Sequence, residues 1–324
     1  MRCLVLGKDG KVRLQRCPIP FPDSSSKLLL RVLMAGICST DLAVLDNRIP
    51  GPKPIVMGHE FVAEPVDDPS RRLCVSEINL TCSTCEYCAQ GISNHCINRT
   101  VLGISTDGVF AEFVQVPCEN VHYLPQSISL EQGVFVEPLA AAIQSVHTGN
   151  ITPEMTVGVL GTGRLGLLQI QVLRALGCQD IIAIERSPEK LGLAEQLGAS
   201  EILLLDEVGR LDHFPLDVVI ETSGSPDGLQ TAMGFIKSRG TIVLKSTPGS
   251  PALMDLTDIV RREISVLGSR CGPFSEAIEL LRRGHIETKP LISGYFTLEE
   301  FREAFEFSQL HNAIKVLFNM GSQS

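Results

Sequence analysis

Two rhythms of apolar and polar positions divide the chain. From Met1 to about Gln126, short apolar runs are broken by Pro, Gly, Asp and Ser, the pattern of an antiparallel β region with polar loops. Residues 28–33 and 110–116 are its clearest strands. From Thr156 the rhythm changes. Short buried runs at 157–160, 181–185, 202–205, 218–222, 242–245 and 264–267 are separated by helical stretches. Helices are expected over 164–176, from Pro188 to about Gly198, over 227–237 and over 274–283. Gly177 should end the first of these, and a Ser187 hydroxyl cap with Pro188 in the first turn should open the second. This alternation predicts an α/β architecture with a doubly wound parallel sheet. One helix from about Ser129 to His147 precedes it. Beyond Gly284, the TLEE at 297–300 fits a capping box that opens a helix to about Ser308. Residues 315–318 read as a short last strand, and these end pieces are expected to return to the first region.

Size and composition narrow the classes. A chain of 324 residues can bury a large core and form two domains. Its 44% hydrophobic and 20% charged residues are the profile of a globular protein. The formal charge of −9, without a basic cluster, argues against nucleic acid or an anionic membrane as partner. No apolar run reaches the roughly 18 residues of a membrane span. The opening MRCLVLG is too short for a secretory leader and reads as a first strand. Eleven cysteines, an odd number, with no leader, predict reduced thiols and metal ligands, hence a cytoplasmic setting.

Three groups of residues carry chemistry. The run VGVLGTGRLG (157–166) is a strand, a turn and a helix start. Its turn, Gly161, Thr162, Gly163, Arg164, Leu165 and Gly166, is G-x-G-x-x-G. The first glycine permits the tight bend, the second admits a pyrophosphate, and the third lets helix and strand pack closely. Glu185 ends the next strand at the distance expected of a ribose-binding acid. An ordinary βαβ unit with packing glycines is the plain alternative. Cys82, Cys85, Cys88 and Cys96 follow C-x2-C-x2-C-x7-C, the spacing of a closed, structural zinc site; disulfides or an iron–sulfur cluster are the alternatives. GICSTD (36–41) and GHE (58–60) offer a thiolate, an imidazole and carboxylates, all suited to Zn²⁺ if the two loops converge. Glu137 lies among Val134, Phe135, Val136, Leu139 and Ala140 and needs a partner there, either a metal, a helix N–H or an arginine.

In this order, these motifs resemble the zinc-dependent alcohol dehydrogenase branch of the medium-chain dehydrogenase/reductase superfamily, over nearly the whole chain. The resemblance implies a GroES-like β-barrel catalytic domain, residues 1–128 completed by 285–324, and a Rossmann domain, residues 129–284. It implies two zinc ions per chain, one catalytic and one structural. Cys38 and His59 are carried onto the catalytic zinc, with Glu60 as ligand or close neighbour. The VEP at 136–138 is similar to the sorbitol, threonine and glucose dehydrogenase pattern, in which the glutamate binds the metal or its water; which of Glu60 and Glu137 is the direct ligand stays open. Asp41 matches the carboxylate that orients the zinc histidine, and Thr40 the hydroxyl that relays the substrate proton. Ala43 stands where many relatives carry a relay histidine. Glu185 favours NAD over NADP, because a carboxylate repels a 2′-phosphate, while Arg186 beside it is able to stack on adenine or pair with a phosphate. The implied reaction passes a hydride between an alcohol, of the secondary alcohol, polyol or sugar class, and the nicotinamide. A homodimer or homotetramer is implied, with a small alcohol or carbonyl compound as substrate. Competing classes are a non-catalytic dinucleotide- and zinc-binding redox sensor, a zinc-ribbon nucleic-acid binder, and a zinc-free reductase of the same superfamily.

Overall fold

A computed structural model describes residues 1–21, 26–205 and 215–321. They form two compact units, Met1–Glu137 with Thr288–Ser324, and Pro138–Glu287.

The first unit is built on the long strand Lys27–Ile37. It pairs antiparallel with Glu60–Pro65, with Phe113–Pro117 and with Lys315–Asn319. Lys315–Asn319 then pairs in parallel with Ile292–Phe296, so the last segments of the chain complete this sheet. A smaller sheet of Arg2–Leu6, Val12–Arg16 and Ile55–Val56 joins through the Cys3–Ala111 bridge. Both sheets cover one core. Phe110, fully buried, packs edge-on against Phe305 and Phe318, which ties the carboxy-terminal segments to the centre.

The second unit is a six-stranded sheet, parallel throughout. Its spatial order is Glu201–Leu204, Ile181–Glu185, Val157–Leu160, Leu216–Glu221, Ile236–Leu244, Ser265–Gly268. Counted along the chain this is 3-2-1-4-5-6, the doubly wound order, with its switch point between Val157–Leu160 and Leu216–Glu221. Ligands in such sheets bind beyond the carboxyl ends of the strands at that point.

Several local expectations are corrected. The helix expected from Ser129 to His147 is two helices, Leu130–Val134 and Val136–Gly149. Pro138 explains the break: proline is tolerated only in a helix's first turn, so a new helix starts two residues before it. The helix expected to reach Lys237 stops at Phe235, and Ile236 opens a strand that pairs with Leu216. Sheet pairing overrides the local helical pattern there. Thr297 does bond Glu300, through its N–H at 2.7 Å and its hydroxyl at 3.0 Å, but within a turn, and the helix begins at Phe301. The Ser187 hydroxyl donates to Glu189 at 2.9 Å and caps no backbone amide. Cys3 and Cys17 form a disulfide, against the expectation of reduced thiols. Pairing of Arg2 with Arg16 across the hairpin brings the Cα atoms of Cys3 and Cys17 to 6.4 Å. Among the described residues no helix is long and apolar enough to cross a membrane.

Candidate metal and dinucleotide sites

Strand register assembles the first site. Gly36 stands opposite Glu60 in the antiparallel pair. Cys38 therefore emerges from one strand end beside His59, which enters the other. Ligand atoms of Cys38, His59 and Glu60 all lie within 4.8 Å of one another. His59 and Glu60 are buried and Cys38 is half-buried. Cys38 also begins the helix Ser39–Leu45, and Asp41 in its first turn accepts the Cys38 N–H at 2.8 Å. The other oxygen of Asp41 lies 3.2 Å from His59 Nδ1, an ion-pair contact not aligned as a hydrogen bond. With Nδ1 facing a carboxylate, Nε2 is the nitrogen left to ligate. Burial alone would lower the His59 pKa, but the charges of Asp41 and Cys38 outweigh it and hold it well above the ordinary 6.5. The surroundings thus favour positive charge at this place, whether carried by a proton or by a metal. Thiolate, imidazole and carboxylate are ligands that Zn²⁺ takes readily, so the residues fit the ion. Thr40 is half-buried in the first turn of the same helix. Glu137 is half-buried in the first turn of Val136–Gly149 and is not one of the convergent ligand groups.

Lys315 is a site residue that sequence reasoning missed. Its Nζ bonds Glu60 Oε2, and both side chains are buried. The available signal was a lysine opening the apolar run 316–318.

Cys82, Cys85, Cys88 and Cys96 converge in a lobe shaped by the short helix Glu86–Ala89 and the 3-10 turn Ser93–His95. Sulfur–sulfur distances are 3.5 Å for Cys82–Cys96 and 3.5 Å for Cys85–Cys88. Four thiolates held about 2.3 Å from one Zn²⁺ stand about 3.8 Å apart, so little adjustment is needed. Donors from Thr84 and Cys85 pull the Cys82 thiol down to about 5, whereas desolvation and neighbouring sulfurs push Cys88 up to about 11. Four crowded thiols cannot all ionise without a cation among them.

In the second unit the three turn glycines differ in what surrounds them. A Cβ on Gly166 would meet the Gly161 carbonyl oxygen at 1.9 Å, and Gly161 has a φ of +94°. A Cβ on Gly163 would meet nothing within 4 Å. Gly166 is thus a packing glycine and Gly163 borders open space, at the start of the helix Arg164–Leu176. Amides at that helix start can receive a phosphate. Glu185 accepts the Thr162 N–H at 2.9 Å, the Thr162 hydroxyl at 3.1 Å and the Arg186 N–H at 2.7 Å. Burial would raise its pKa, but these donors outweigh it and hold it below the ordinary carboxylate value. A pocket of about 110 Å³ is lined by Gly161, Glu185, Arg186, Ser223, Ser225 and Thr231. Glu221, buried at the end of its strand, accepts the Ser223 N–H at 2.8 Å and also binds the Ser246 hydroxyl, tying together the turns beyond two strands. An acid closing an apolar strand was its sequence signal.

Residues 24–126 match the alcohol dehydrogenase GroES-like domain family, and residues 165–283 the zinc-binding dehydrogenase family. The L-threonine 3-dehydrogenase of Bacillus licheniformis is 30% identical over 93% of both chains. The sorbitol dehydrogenase of Bacillus subtilis is 27% identical, covering 94% of this chain and 93% of its own. A zinc-binding dehydrogenase from Sinorhizobium meliloti, solved with NADP, superposes with a TM-score of 0.91 at 30% identity over 98% of both chains. An alcohol dehydrogenase from Escherichia coli, solved with NADH, gives 0.91 at 25% identity over 99% of both.

One added methyl group separates the glycine roles. Gly166→Ala should cost about 2 kcal/mol or more of stability, since its neighbour is backbone and cannot move aside. Gly163→Ala should change stability by less than about 1 kcal/mol, the scale of a helix-start substitution, yet weaken dinucleotide binding. Urea unfolding and titration calorimetry read the two effects. Unweakened binding by the Gly163→Ala protein would contradict the assignment.

Proposed function

The chain belongs to the zinc-dependent alcohol dehydrogenase branch of the medium-chain dehydrogenase/reductase superfamily, and we propose how its own residues carry out that chemistry. It is an oxidoreductase that moves a hydride between an alcohol and a nicotinamide dinucleotide, rather than a non-catalytic sensor. What carries the site assignment is the convergence of Cys38, His59 and Glu60 across one strand register.

Cys38 and His59 would hold the catalytic zinc, with Glu60 beside them; once bound, the ion would supply Lewis acidity toward the alcohol or carbonyl oxygen. Asp41 orients His59 and anchors the Cys38 backbone. Thr40 Oγ1 takes the hydroxyl proton of the substrate and passes it outward. The adjacent helical face offers no second relay side chain at Ala43, which is buried and apolar. Cys82, Cys85, Cys88 and Cys96 would hold a second, structural zinc through four thiolates. The turn from Gly161 to Gly166 receives the pyrophosphate. Glu185, already fixed by Thr162 and Arg186, accepts the adenosine ribose hydroxyls and makes NAD the preferred cofactor. Glu60, rather than Glu137, is the carboxylate that stands with Cys38 and His59. Secondary alcohols, polyols and sugars are the substrate class, in keeping with the threonine and sorbitol dehydrogenases among the relatives.

The proposed assembly is a dimer through the outer edge of the second unit's sheet. Ser265–Gly268 is its last strand among the described residues. Just before it Leu253, Leu256 and Val260 are 93%, 68% and 76% exposed. A free edge beside exposed apolar side chains is a surface that a second copy would cover.

Replacing Cys38 or His59 with Ala should abolish turnover on a polyol and secondary-alcohol panel, and lower zinc from two ions per chain to one. NAD affinity should stay unchanged, because the dinucleotide residues lie in the other unit. Full activity in a protein with one zinc per chain would refute the assignment. For the cofactor, kcat/KM should favour NAD over NADP by about tenfold or more, equivalent to about 1.4 kcal/mol. Glu185→Ala should erase most of that ratio, and an NADP preference in the unaltered protein would overturn the choice. Sedimentation should show a dimer that Leu256→Asp with Val260→Asp converts to monomer; a monomeric unaltered protein would exclude this interface.

A further inference from the structure

Glu60 stands between a buried ammonium and the convergent ligand atoms of Cys38 and His59. Its ligand oxygen lies within 4.8 Å of the Cys38 and His59 ligand atoms, and its Oε2 bonds Lys315 Nζ. Both charged residues are almost sealed from water, Glu60 at 1% and Lys315 at 2% exposure. Lysine is rarely buried to this degree unless paired.

Three adjacent strands build the contact. Lys315 opens Lys315–Asn319, whose next residue, Val316, pairs with Ile37. Gly36 pairs with Leu317 on one side and with Glu60 on the other. A Cβ at Gly36 would stand 2.7 Å from Glu60 Oε2, 2.8 Å from Val134 and 3.4 Å from Lys315 Cδ. Glycine here leaves room for the carboxylate and the lysine stem. The Phe135 ring lies 5.9 Å from Nζ and adds a favourable face for the ammonium.

We infer that Lys315 is a positioning residue that competes with the catalytic metal for Glu60, keeping that carboxylate a weak ligand so that a coordination position stays open to substrate. The inference rests on the metal assignment to Cys38, His59 and Glu60. Its logic is the cost of buried charge. A carboxylate in a dry place takes the strongest cation it can reach. While the ammonium holds one oxygen, the metal has only a share of Glu60. Without the ammonium, a divalent ion is the one cation left to it at this contact, and Glu60 should close on the metal.

Lys315→Met removes the charge and keeps most of the volume; Lys315→Arg keeps the charge. The cobalt-substituted protein reports ligand number through its visible absorption, and a chelator reports metal retention, both without turnover. Lys315→Met should lose its catalytic-site metal to the chelator more slowly by about tenfold or more, opposite in sign to the roughly 10- to 100-fold weakening that follows loss of a residue supporting a metal ligand. Its cobalt spectrum should lose intensity, as an added oxygen ligand dictates, and kcat should fall. Lys315→Arg should retain the spectrum and extraction rate of the unaltered protein. In a Glu60→Gln background, Lys315→Met should change neither property, because the carboxylate through which it acts is gone; an effect there overturns the inference even if the single variant does not fold. Faster metal loss or an unchanged spectrum in Lys315→Met would overturn the inference, as would an effect that persists in the Glu60→Gln background. Absence of any second metal in the unaltered protein would instead defeat the underlying site assignment.

Discussion

A thiol, an imidazole and two carboxylates do not gather away from water unless something positive answers them. The antiparallel register that sets Gly36 against Glu60 forces this gathering, because Cys38 and His59 follow from the strand ends on either side. Asp41 adds to it, with one oxygen on the Cys38 amide and the other facing His59. The rest of the first unit answers that one demand. Lys315 arrives on a strand from the far end of the chain, and the carboxy-terminal helix Phe301–Ser308 holds that strand in place through Phe305 and Phe318. The carboxy-terminal segments therefore complete both the core and the electrostatics of the site.

The second unit solves a different problem, presenting hydrogen-bonding groups at the open end of a sheet without losing them to water. Glu185 is a carboxylate set in place by the backbone N–H groups of Thr162 and Arg186. Glu221 does the same for the turns that carry Ser223 and Ser246. Both acids close apolar strands, where the sheet supplies rigidity and the following loops supply donors. Prior fixation lowers the entropy lost when a ligand is bound.

Much of this was legible in the residues because it is local. The glycine turn, the acid at 185 and the cysteine spacing are short patterns whose geometry follows from neighbours in sequence. The alternation of strand and helix after Thr156 was readable for the same reason. What was not legible depends on pairing between distant segments. Lys315 meets Glu60 across 255 positions, and nothing near either residue announces the other. That Glu60 converges with Cys38 and His59 follows from strand register, which no local pattern supplies. Cys3 meets Cys17 because two strands pair, whereas cysteine counting alone favoured thiols. At Ile236 sheet pairing decided against a helical pattern. The break at Phe135 is the exception: Pro138 was visible, and its effect on the preceding turn follows from proline chemistry alone.

On the proposed assignment, the two cysteine-containing clusters would hold the same metal to opposite ends. In the lobe four sulfurs surround the place of one ion, and no further ligand is wanted. At the inner site Cys38 and Glu60 already balance a divalent charge. Were Glu60 wholly the metal's, little attraction would remain for a third anionic oxygen. Lys315 draws part of that carboxylate's charge toward itself, and Asp41 directs its own toward His59 and the Cys38 amide. An ion bound there would keep some unmet positive charge in a dry environment, where electrostatic attraction is strong. In the proposed reaction an alcohol oxygen would gain negative charge as its proton left for Thr40, and that is the moment at which unmet charge would matter. A buried lysine is costly to keep for stability alone, and its position against Glu60 gives it a use in the open form of the site.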